Sequence, residues 1–295
     1  MIDFLKYRKI YFTFSALLVL ASLVCLGLFG LEPGIDFTGG SILEIEYEEE
    51  RPTVEEVREL LHGVVGQVFV QPTDSNGLII RMGEIDDQTH RQVTEILRQD
   101  YNGEELRFES IGPVIGRELR EKTTIVIILS LLAIVLYIAF SFRRIQRPIS
   151  SWQYGLASLL ALFHDALIPL GIFAILGEFY SIQITIPVVV ALLMVLGYSI
   201  NNTVVVFDRI RENLLKRTGT TFEETVNNSL TQTLARTLNT SLTTLFVLVA
   251  IFFFGGETLK YFALILILGI ISGTYSSLFL VSPVLVAWLA WRKKV

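Results

Sequence analysis

The chain has 295 residues, of which 52% are hydrophobic, and its mean hydropathy is +0.57. A typical soluble globular protein is less apolar and carries more charged residues, so this composition argues against a soluble globular protein. The charge is also unevenly placed. Residues 32–121 hold 8 Arg, no Lys and 21 Asp or Glu, a net charge of −13, whereas the whole chain is at −5. This asymmetry predicts that the chain lies in two different environments.

Long apolar runs predict six membrane-spanning helices. A hydrocarbon core of about 30 Å needs roughly 20 apolar residues in a helix. Six stretches with at most one Asp, Glu, Lys or Arg reach that length: 10–31, 123–142, 148–177, 179–207, 237–256 and 261–291. The first run also resembles a signal sequence. Its length and the lack of an A-x-A-like site after it favour an uncleaved first span.

The basic residues predict the orientation of these spans, because Lys and Arg are enriched in cytoplasmic segments. The acidic segment 32–121 has no Lys, and the short links near Glu178 and at 257–260 hold one Lys between them. We therefore expect both termini in the cytoplasm and residues 32–121 outside. The basic residues on the predicted cytoplasmic side are Lys6, Arg8, Lys9, Arg143, Arg144, Arg147, Arg209, Arg211, Lys216, Arg217, Arg292, Lys293 and Lys294.

The acidic segment predicts a small α+β domain. Residues 41–47 alternate like a strand, and Thr53 and Glu56 form a capping-box pattern at the start of a helix. Strands at 67–71 and 78–82, a helix at 86–99 and a strand at 106–109 follow. The order βαββαβ predicts a ferredoxin-like domain. It has no Cys, and His62 and His90 have no evident partners, so we expect no metal site.

The predicted fold class is an α-helical polytopic membrane protein of six transmembrane helices. A ferredoxin-like α+β extracytoplasmic domain lies between helices 1 and 2. The predicted boundaries are 1–31 for the cytoplasmic N-terminus and first helix, and 32–121 for the extracytoplasmic domain. Residues 122–295 then form a five-helix transmembrane domain with a cytoplasmic link at 208–235.

Several polar residues fall inside the predicted spans, where ionisable side chains are costly and usually face a polar interior. At about 1.5 Å per residue, Asp165 lies roughly 18 Å from the outer end of its span. On the same scale Asn202 lies roughly 9 Å inside the cytoplasmic boundary, and Arg236 opens the next span from that side. The candidate ion-coupling residues are therefore Asn202, Arg236, Asp165, His164, Asn201 and Thr240.

Purely structural roles stay open for these polar residues. Ser and Thr in spans often bond the neighbouring backbone, and a GxxxG such as that at 269–273 often serves packing alone. Arg236 can extend to the lipid headgroups. Asp165, at mid-depth, has no such route, but it could form a structural pair with His164 or with a partner chain.

The motifs along the whole chain resemble those of the SecF family. The fourth-span motif, GYSINNTVVVFDRIREN at 197–213, is the most specific and contains Asp208 and Arg209. Near the first span, GIDFTGG at 34–40 contains Asp36, Gly39 and Gly40. The remaining matches are IGPVIG at 111–116, His164-Asp165, RTLNTSLTT at 236–244 and GTYSS at 273–277.

This resemblance implies an accessory subunit of the Sec translocase, half of a resistance-nodulation-division transporter, in a bacterial or archaeal cytoplasmic membrane. It implies that the protein promotes protein export with the proton or sodium gradient. The implied partners are a SecD-like subunit, a SecYEG-type translocon, the exported polypeptide and membrane lipid. We expect no nucleic acid, no cofactor, no metal and no enzymatic activity.

One position departs from the family pattern. The fourth-span motif usually reads Asn-Asp where this chain has Asn201-Asn202, and an amide cannot carry the proton charge of a carboxylate. Either Asp165 or a carboxylate of the partner takes that role, or the sequence has been altered to remove charge. A translocon scaffold without ion coupling is one alternative function. A small-molecule or lipid exporter of the same superfamily is another, and the absence of H-E-x-x-H and G-x-S-x-G disfavours an intramembrane enzyme.

Overall fold

The computed structural model describes residues 3–48, 50–73, 76–142 and 149–292, and these form two compact units. The small unit comprises Leu31–Val126 and Ile175–Ile186, and the helical unit comprises Met1–Gly30, Ile127–Ala174 and Pro187–Val295. After a 3-10 turn at Leu5–Tyr7, the elements in chain order are α1 (Arg8–Phe29), α2 (Ile35–Thr38), β1 (Gly40–Tyr47), α3 (Val54–Val65), β2 (Phe69–Pro72), β3 (Gly77–Met82), α4 (Asp87–Tyr101), β4 (Gly103–Ile111), α5 (Pro113–Phe142), α6 (Ser151–Tyr180), α7 (Ile186–Lys216), α8 (Phe222–Phe254), α9 (Gly256–Phe279) and α10 (Val281–Arg292).

The small unit has the predicted βαββαβ order. Its described strands form one antiparallel sheet in the order β2-β3-β1-β4. Alternation along β1 buries Leu43, Ile45 and Tyr47 against both helices, as the period-2 pattern predicted. The ferredoxin-like fold is therefore confirmed. The helices contribute to the same core Val57, Leu61, Val93 and Leu97.

Both helices of this core begin at side-chain caps. The Thr53 hydroxyl accepts from the Glu56 amide (3.3 Å), and the Thr53 amide donates to the Glu56 carboxylate (2.8 Å), which completes the predicted capping box. The Thr53 amide and the Thr53 hydroxyl (2.8 Å) both donate to this carboxylate, and these two hydrogen bonds lower the pKa of Glu56. Asp86 accepts from the Thr89 amide (2.8 Å). Hydrogen bonds from the side chain and the amide of Thr89 lower the pKa of Asp86. Propensity and capping thus agree with the tertiary fold here.

The six predicted spans are confirmed as helices in the described residues. Candidate spans run over Leu5–Phe29, Pro113–Ser141, Ser151–Tyr180, Ile186–Lys216, Phe222–Phe254 and Leu259–Arg292. The core of the helical unit is built mainly from α6, α7, α9 and α10. Its largest buried side chains include Tyr154, Phe207 and Ile210.

Some boundaries differ from the prediction. The fourth span was expected from residue 179, but α6 runs to Tyr180 and residues 181–185 leave the helix before α7 begins. The apolar residues of this stretch serve the small unit instead, where Ile182 is buried and Ile184 pairs with Pro33. Helices α7 and α8 also extend into the predicted link 208–235, leaving a short connection at 217–221.

The last predicted span is broken in two. Helix α9 ends at Phe279 and α10 begins at Val281, with Leu280 between them. Pro283 causes this break, because its missing amide hydrogen cannot continue the helical ladder, whereas proline is tolerated in the first turn of a new helix.

Candidate functional site

A buried carboxylate lies at the centre of the helical unit. Asp165 is on α6, halfway along the helix, and its side chain is 0% exposed. Ser199 on α7 donates to its Oδ2 (2.5 Å), as does Ser276 on α9 (2.7 Å). Ser272 on α9 donates to Oδ1 (3.0 Å), and Nδ1 of His164 lies 2.8 Å from the same oxygen. Three helices therefore meet at this carboxylate.

The sequence of α9 explains how two of these donors reach Asp165. Ser272 and Ser276 are four residues apart and so share one helix face. On that face Gly269 and Gly273 leave room for α7. A β-carbon at Gly273 would lie 3.2 Å from Ser199 Cβ and 3.4 Å from Asp165 Oδ2. The GxxxG of α9 therefore both packs the helices and admits the carboxylate.

A proline marks the same position on α6. Pro169 lies inside the helix, four residues after Asp165. Because proline has no amide hydrogen, the carbonyl of Asp165 loses the donor that an ordinary helix would supply. The helix therefore lacks one backbone hydrogen bond at the level of the carboxylate. This signal was present in the sequence and was missed, as was the role of Ser272.

His164 connects the carboxylate to a cavity. Its side chain is 2% exposed, its Nδ1 faces Asp165, and its Nε2 is buried without a hydrogen-bond partner in the described residues. The ring stacks on Tyr275 (centroids 6.0 Å apart), whose hydroxyl donates to the Tyr11 carbonyl (3.1 Å). The imidazole also lines an apolar cavity of about 480 Å³ between α1, α6 and α10.

A second polar contact joins α7, α8 and α9. The Tyr198 hydroxyl donates to Ser241 (3.2 Å), and Ser241 lies 2.7 Å from the Thr274 hydroxyl. Ser241 and Thr274 belong to the quoted motifs, but their pairing depends on the packing of two helices. Their spacing along the chain therefore does not predict it.

The structure does not join Asn202 to Arg236 by a hydrogen bond within the described chain. Asn202 is 4% exposed and its Nδ2 has no partner there, whereas Arg236 is exposed. Asn201 is exposed beside it. Thr240 donates to the carbonyls of Arg236 and Thr237 (both 3.0 Å), which is backbone bonding within its own helix. The expected approach of Arg236 to Asn202 stays a prediction.

Arg236 instead lines a cleft of about 230 Å³ between α7 and α8. In the same cleft Arg209 donates to Gln232 (2.7 Å) and to Glu212 (2.5 Å). The carboxylate of Asp208 is 73% exposed and lies 4.0 Å from Arg211. Of the two family-motif residues here, Arg209 therefore links α7 to α8 through its hydrogen bond to Gln232, and the side chain of Asp208 is exposed.

The motif at 34–40 lies in the small unit. Asp36 Oδ2 accepts from the amide of Ile186 (2.8 Å), so Asp36 caps the start of α7. Gly39 and Gly40 have φ of +76° and +135°. A β-carbon on Gly39 would lie 2.8 Å from Pro113 Cα. Both glycines are therefore required by a close backbone crossing.

Metal binding gains no support from the part of the chain that the structure describes. It contains no group of three His, Cys, Asp or Glu side chains able to hold a metal ion. The buried carboxylate is instead surrounded by hydroxyls and one imidazole. The carboxyl group and the imidazole can each bind or release a proton, and the hydroxyls supply hydrogen bonds to the carboxylate.

The chain is similar to proteins of one family. Residues 92–291 match the protein family "Protein export membrane protein SecD/SecF, C-terminal", and residues 26–50 match the family "SecD/SecF GG Motif". The Protein translocase subunit SecF of Thermobaculum terrenum is 43% identical over 98% of this chain and 94% of its own length. That of Anaerolinea thermophila is 37% identical over 99% and 96%.

The solved structures show the same similarity. The crystal structure of SecDF, a translocon-associated membrane protein, from Thermus thermophilus matches with a TM-score of 0.86 and 33% identity. The match covers 97% of this chain but 38% of that protein.

Proposed function

Because the chain belongs to the SecD/SecF family of protein export membrane proteins, as a SecF subunit of the Sec translocase, we propose that it promotes protein export across the cytoplasmic membrane by using a transmembrane ion gradient. The observation that carries this proposal is the buried carboxylate of Asp165 in the middle of α6. An ionisable group at that depth is costly and typically marks an ion pathway. In the described chain no Lys or Arg side chain bonds it, so a structural salt bridge to one of these residues does not explain why a carboxylate is buried here.

The proposal includes a SecD-like partner seated on α7 and α8. Both helices are candidate spans, yet they expose polar side chains that lipid cannot satisfy. A guanidinium in a membrane needs an acceptor, and Arg236 has no ion pair among the described residues. We assign that acceptor to a carboxylate of the partner. The exposed polar side chains of this face are Asn201, Arg236, Asn239 and Thr243.

The longer SecDF relative supports this partnership. This chain spans 38% of that protein, which is described as translocon-associated. Pseudo-symmetric halves with sites at their interface are common in transporters. We therefore propose that a second six-span subunit completes the transporter and that the assembly works beside a SecYEG-type translocon on an exported polypeptide.

The proposed orientation has both termini in the cytoplasm and residues 32–121 outside. Its support is the distribution of Lys and Arg. In a Cys25→Ser background, cysteines introduced singly at Ser75, which lies outside the described residues, and at Thr218 should be labelled from opposite sides by an impermeant reagent. Labelling of both from the same side would refute this topology.

The central test is export into membrane vesicles that contain the translocon, the SecD-like subunit and this chain. Asp165→Asn should abolish the part of export that an ionophore also abolishes, because the variant removes the charge but keeps the shape. Ser158→Ala is the matched control, since Ser158 is a buried polar residue of α6 that bonds the Tyr154 carbonyl (2.9 Å) outside the cluster. Equal ionophore sensitivity in Asp165→Asn and the control would overturn gradient coupling through this site.

A translocon scaffold without ion coupling is the second candidate, and Asn202 is the observation that favours it. An amide there cannot titrate. Asn202→Asp should strengthen gradient-dependent export if the position belongs to the coupling machinery. Arg236→Met in that variant should then abolish the gain. If Asn202→Asp, Arg236→Met and Asp165→Asn all leave export unchanged, the scaffold function is the better one.

A further inference from the structure

The hydrogen bonds around Asp165 determine which nitrogen of His164 is free. An ionised carboxylate has about four lone-pair sites and can only accept. Ser199 and Ser276 fill two sites on Oδ2, and Ser272 fills one on Oδ1. The remaining site on Oδ1 faces Nδ1 of His164 at 2.8 Å. The Ser272 hydroxyl also lies 3.4 Å from this nitrogen, but its one hydrogen is given to Oδ1 at 3.0 Å, so Nδ1 carries the hydrogen of the neutral ring. The neutral ring then has its lone pair on Nε2.

We propose that Nε2 of His164 is the site where the coupling ion binds, and that this ion is a proton. Its uptake makes His164 an imidazolium that already donates through Nδ1 to Asp165. No hydrogen bond around the carboxylate has to break, and the pair changes from a net charge of −1 to zero. Asp165 acts as the positioning residue and counter-ion. The role of this proton in export rests on the proposed gradient coupling, whereas the protonation of His164 can be tested without it.

The surroundings of the ring favour a proton over sodium. The titratable groups that face it are Asp165 on its own helix and Tyr275 on α9, with Tyr11 of α1 behind Tyr275. No Lys or Arg of the described residues bonds the pair, so an added positive charge meets no basic neighbour. A hard cation needs several oxygen ligands around one point. Here each oxygen of the carboxylate is already taken by hydrogen-bond donors.

The burial of Nε2 explains how proton binding would be linked to movement. The His164 side chain is 2% exposed, although it lines the cavity between α1, α6 and α10. A buried acceptor without a partner is costly, and protonation gives Nε2 a hydrogen that also needs a partner. Proton exchange therefore requires these helices to separate and admit water. A site that exchanges only in an opened state is what coupling requires.

The test is nitrogen NMR of the full chain in lipid nanodiscs, labelled with ¹⁵N-histidine. The chain has three histidines, and His62 and His90 lie in the small unit. His164→Asn identifies the signal by its loss. If that variant does not fold, His62→Gln combined with His90→Gln leaves His164 as the sole source of signal. We expect Nδ1 to be protonated throughout, with Nε2 gaining a proton as pH falls and with no response to sodium.

Two results would overturn the assignment: a neutral His164 with its hydrogen on Nε2, or a spectrum that changes with sodium rather than pH. Asp165→Asn should change the Nδ1 signal of His164, because the hydrogen on that nitrogen loses its carboxylate acceptor. An unchanged Nδ1 signal would also count against the assignment.

Failure of the wider proposal looks different. If His164 titrates as expected but His164→Asn exports with full ionophore sensitivity, the proton site stands and gradient coupling fails. If Asp165→Asn abolishes gradient-driven export while His164 does not titrate, coupling stands and the assignment to His164 fails.

Discussion

Gly269 is a position where one methyl group should disturb both packing and function. A β-carbon there would lie 2.2 and 2.4 Å from the two γ-carbons of Val195 on α7 and 2.8 Å from its β-carbon. Val195 is 1% exposed and β-branched, so it cannot turn away. Helices α7 and α9 must then separate, and overpacking of this kind typically costs about 1–3 kcal/mol. The separation also lengthens the hydrogen bonds that Ser272 and Ser276 give to Asp165.

The assay is thermal unfolding of the purified chain in detergent. For a chain of this size about 1 kcal/mol corresponds to roughly 2–4 °C, so the overpacking should make Gly269→Ala melt about 2–12 °C below a glycine-to-alanine variant of a helix that has room for the methyl group. Gly197→Ala is the matched control, because nothing lies within 4 Å of its added carbon. Alanine favours a helix over glycine by about 1 kcal/mol, so the control should melt at the parental temperature or above it.

A second-site variant tests the cause of the loss. Val195→Ala removes the two γ-carbons but leaves the contact at 2.8 Å. In the Gly269→Ala background it should therefore restore part of the lost stability, whereas alone it should destabilise by leaving a cavity. The reasoning is refuted if Gly269→Ala melts like Gly197→Ala, or if Val195→Ala lowers Tm equally in both backgrounds.

Three further predictions concern the small unit. Burial raises the pKa of Tyr47 to about 12 from 10.0, so the folded state loses stability as pH rises between these values; Tyr47→Phe should abolish that loss in alkaline unfolding curves. Asp36→Ala removes the cap at Ile186 and should cost about 1 kcal/mol, with faster hydrogen exchange confined to the first turn of α7. Hydrogen bonds from the Thr53 amide and hydroxyl lower the pKa of Glu56 from 4.5, so their stabilisation is present above 4.5 and lost as pH falls; Glu56→Gln, which cannot titrate, should make the protection of the amides at the start of α3, corrected for intrinsic exchange, insensitive to pH in that acid range.

The sequence was most informative where a physical requirement is local. Apolar length predicted the six spans, and the capping box at Thr53 and the alternation along β1 predicted the small unit. The prediction was wrong for the stretch 179–186, because its apolar residues pack in the small unit rather than forming the start of a span. Hydropathy records how apolar a segment is, but not which core buries it. The boundary between α6 and α7 was therefore misplaced.

The candidate site was predicted only in part, because some of its features are local to one helix and others depend on how the helices pack. The depth of Asp165 follows from counting residues along one helix, so it was found. The donors from Ser199, Ser272 and Ser276 depend on how α6, α7 and α9 face each other, which periodicity does not specify. Pro169 was the missed local signal, because a proline four residues after a mid-span carboxylate removes the donor to its carbonyl.

The amide at Asn202 takes a different meaning once the position of Asp165 is known. A chain that lacks a titratable group at 202 still holds one carboxylate and one imidazole in contact at the centre of its helical unit. The exposed Arg236 can be neutralised by a partner carboxylate without any proton moving on this chain. Charge recognition and proton binding would then lie at separate places, the first on the exposed face of α7 near Asn201 and the second at His164 on α6. Arg236→Met would in that case weaken contact with the partner, while His164→Asn would alter the response to pH.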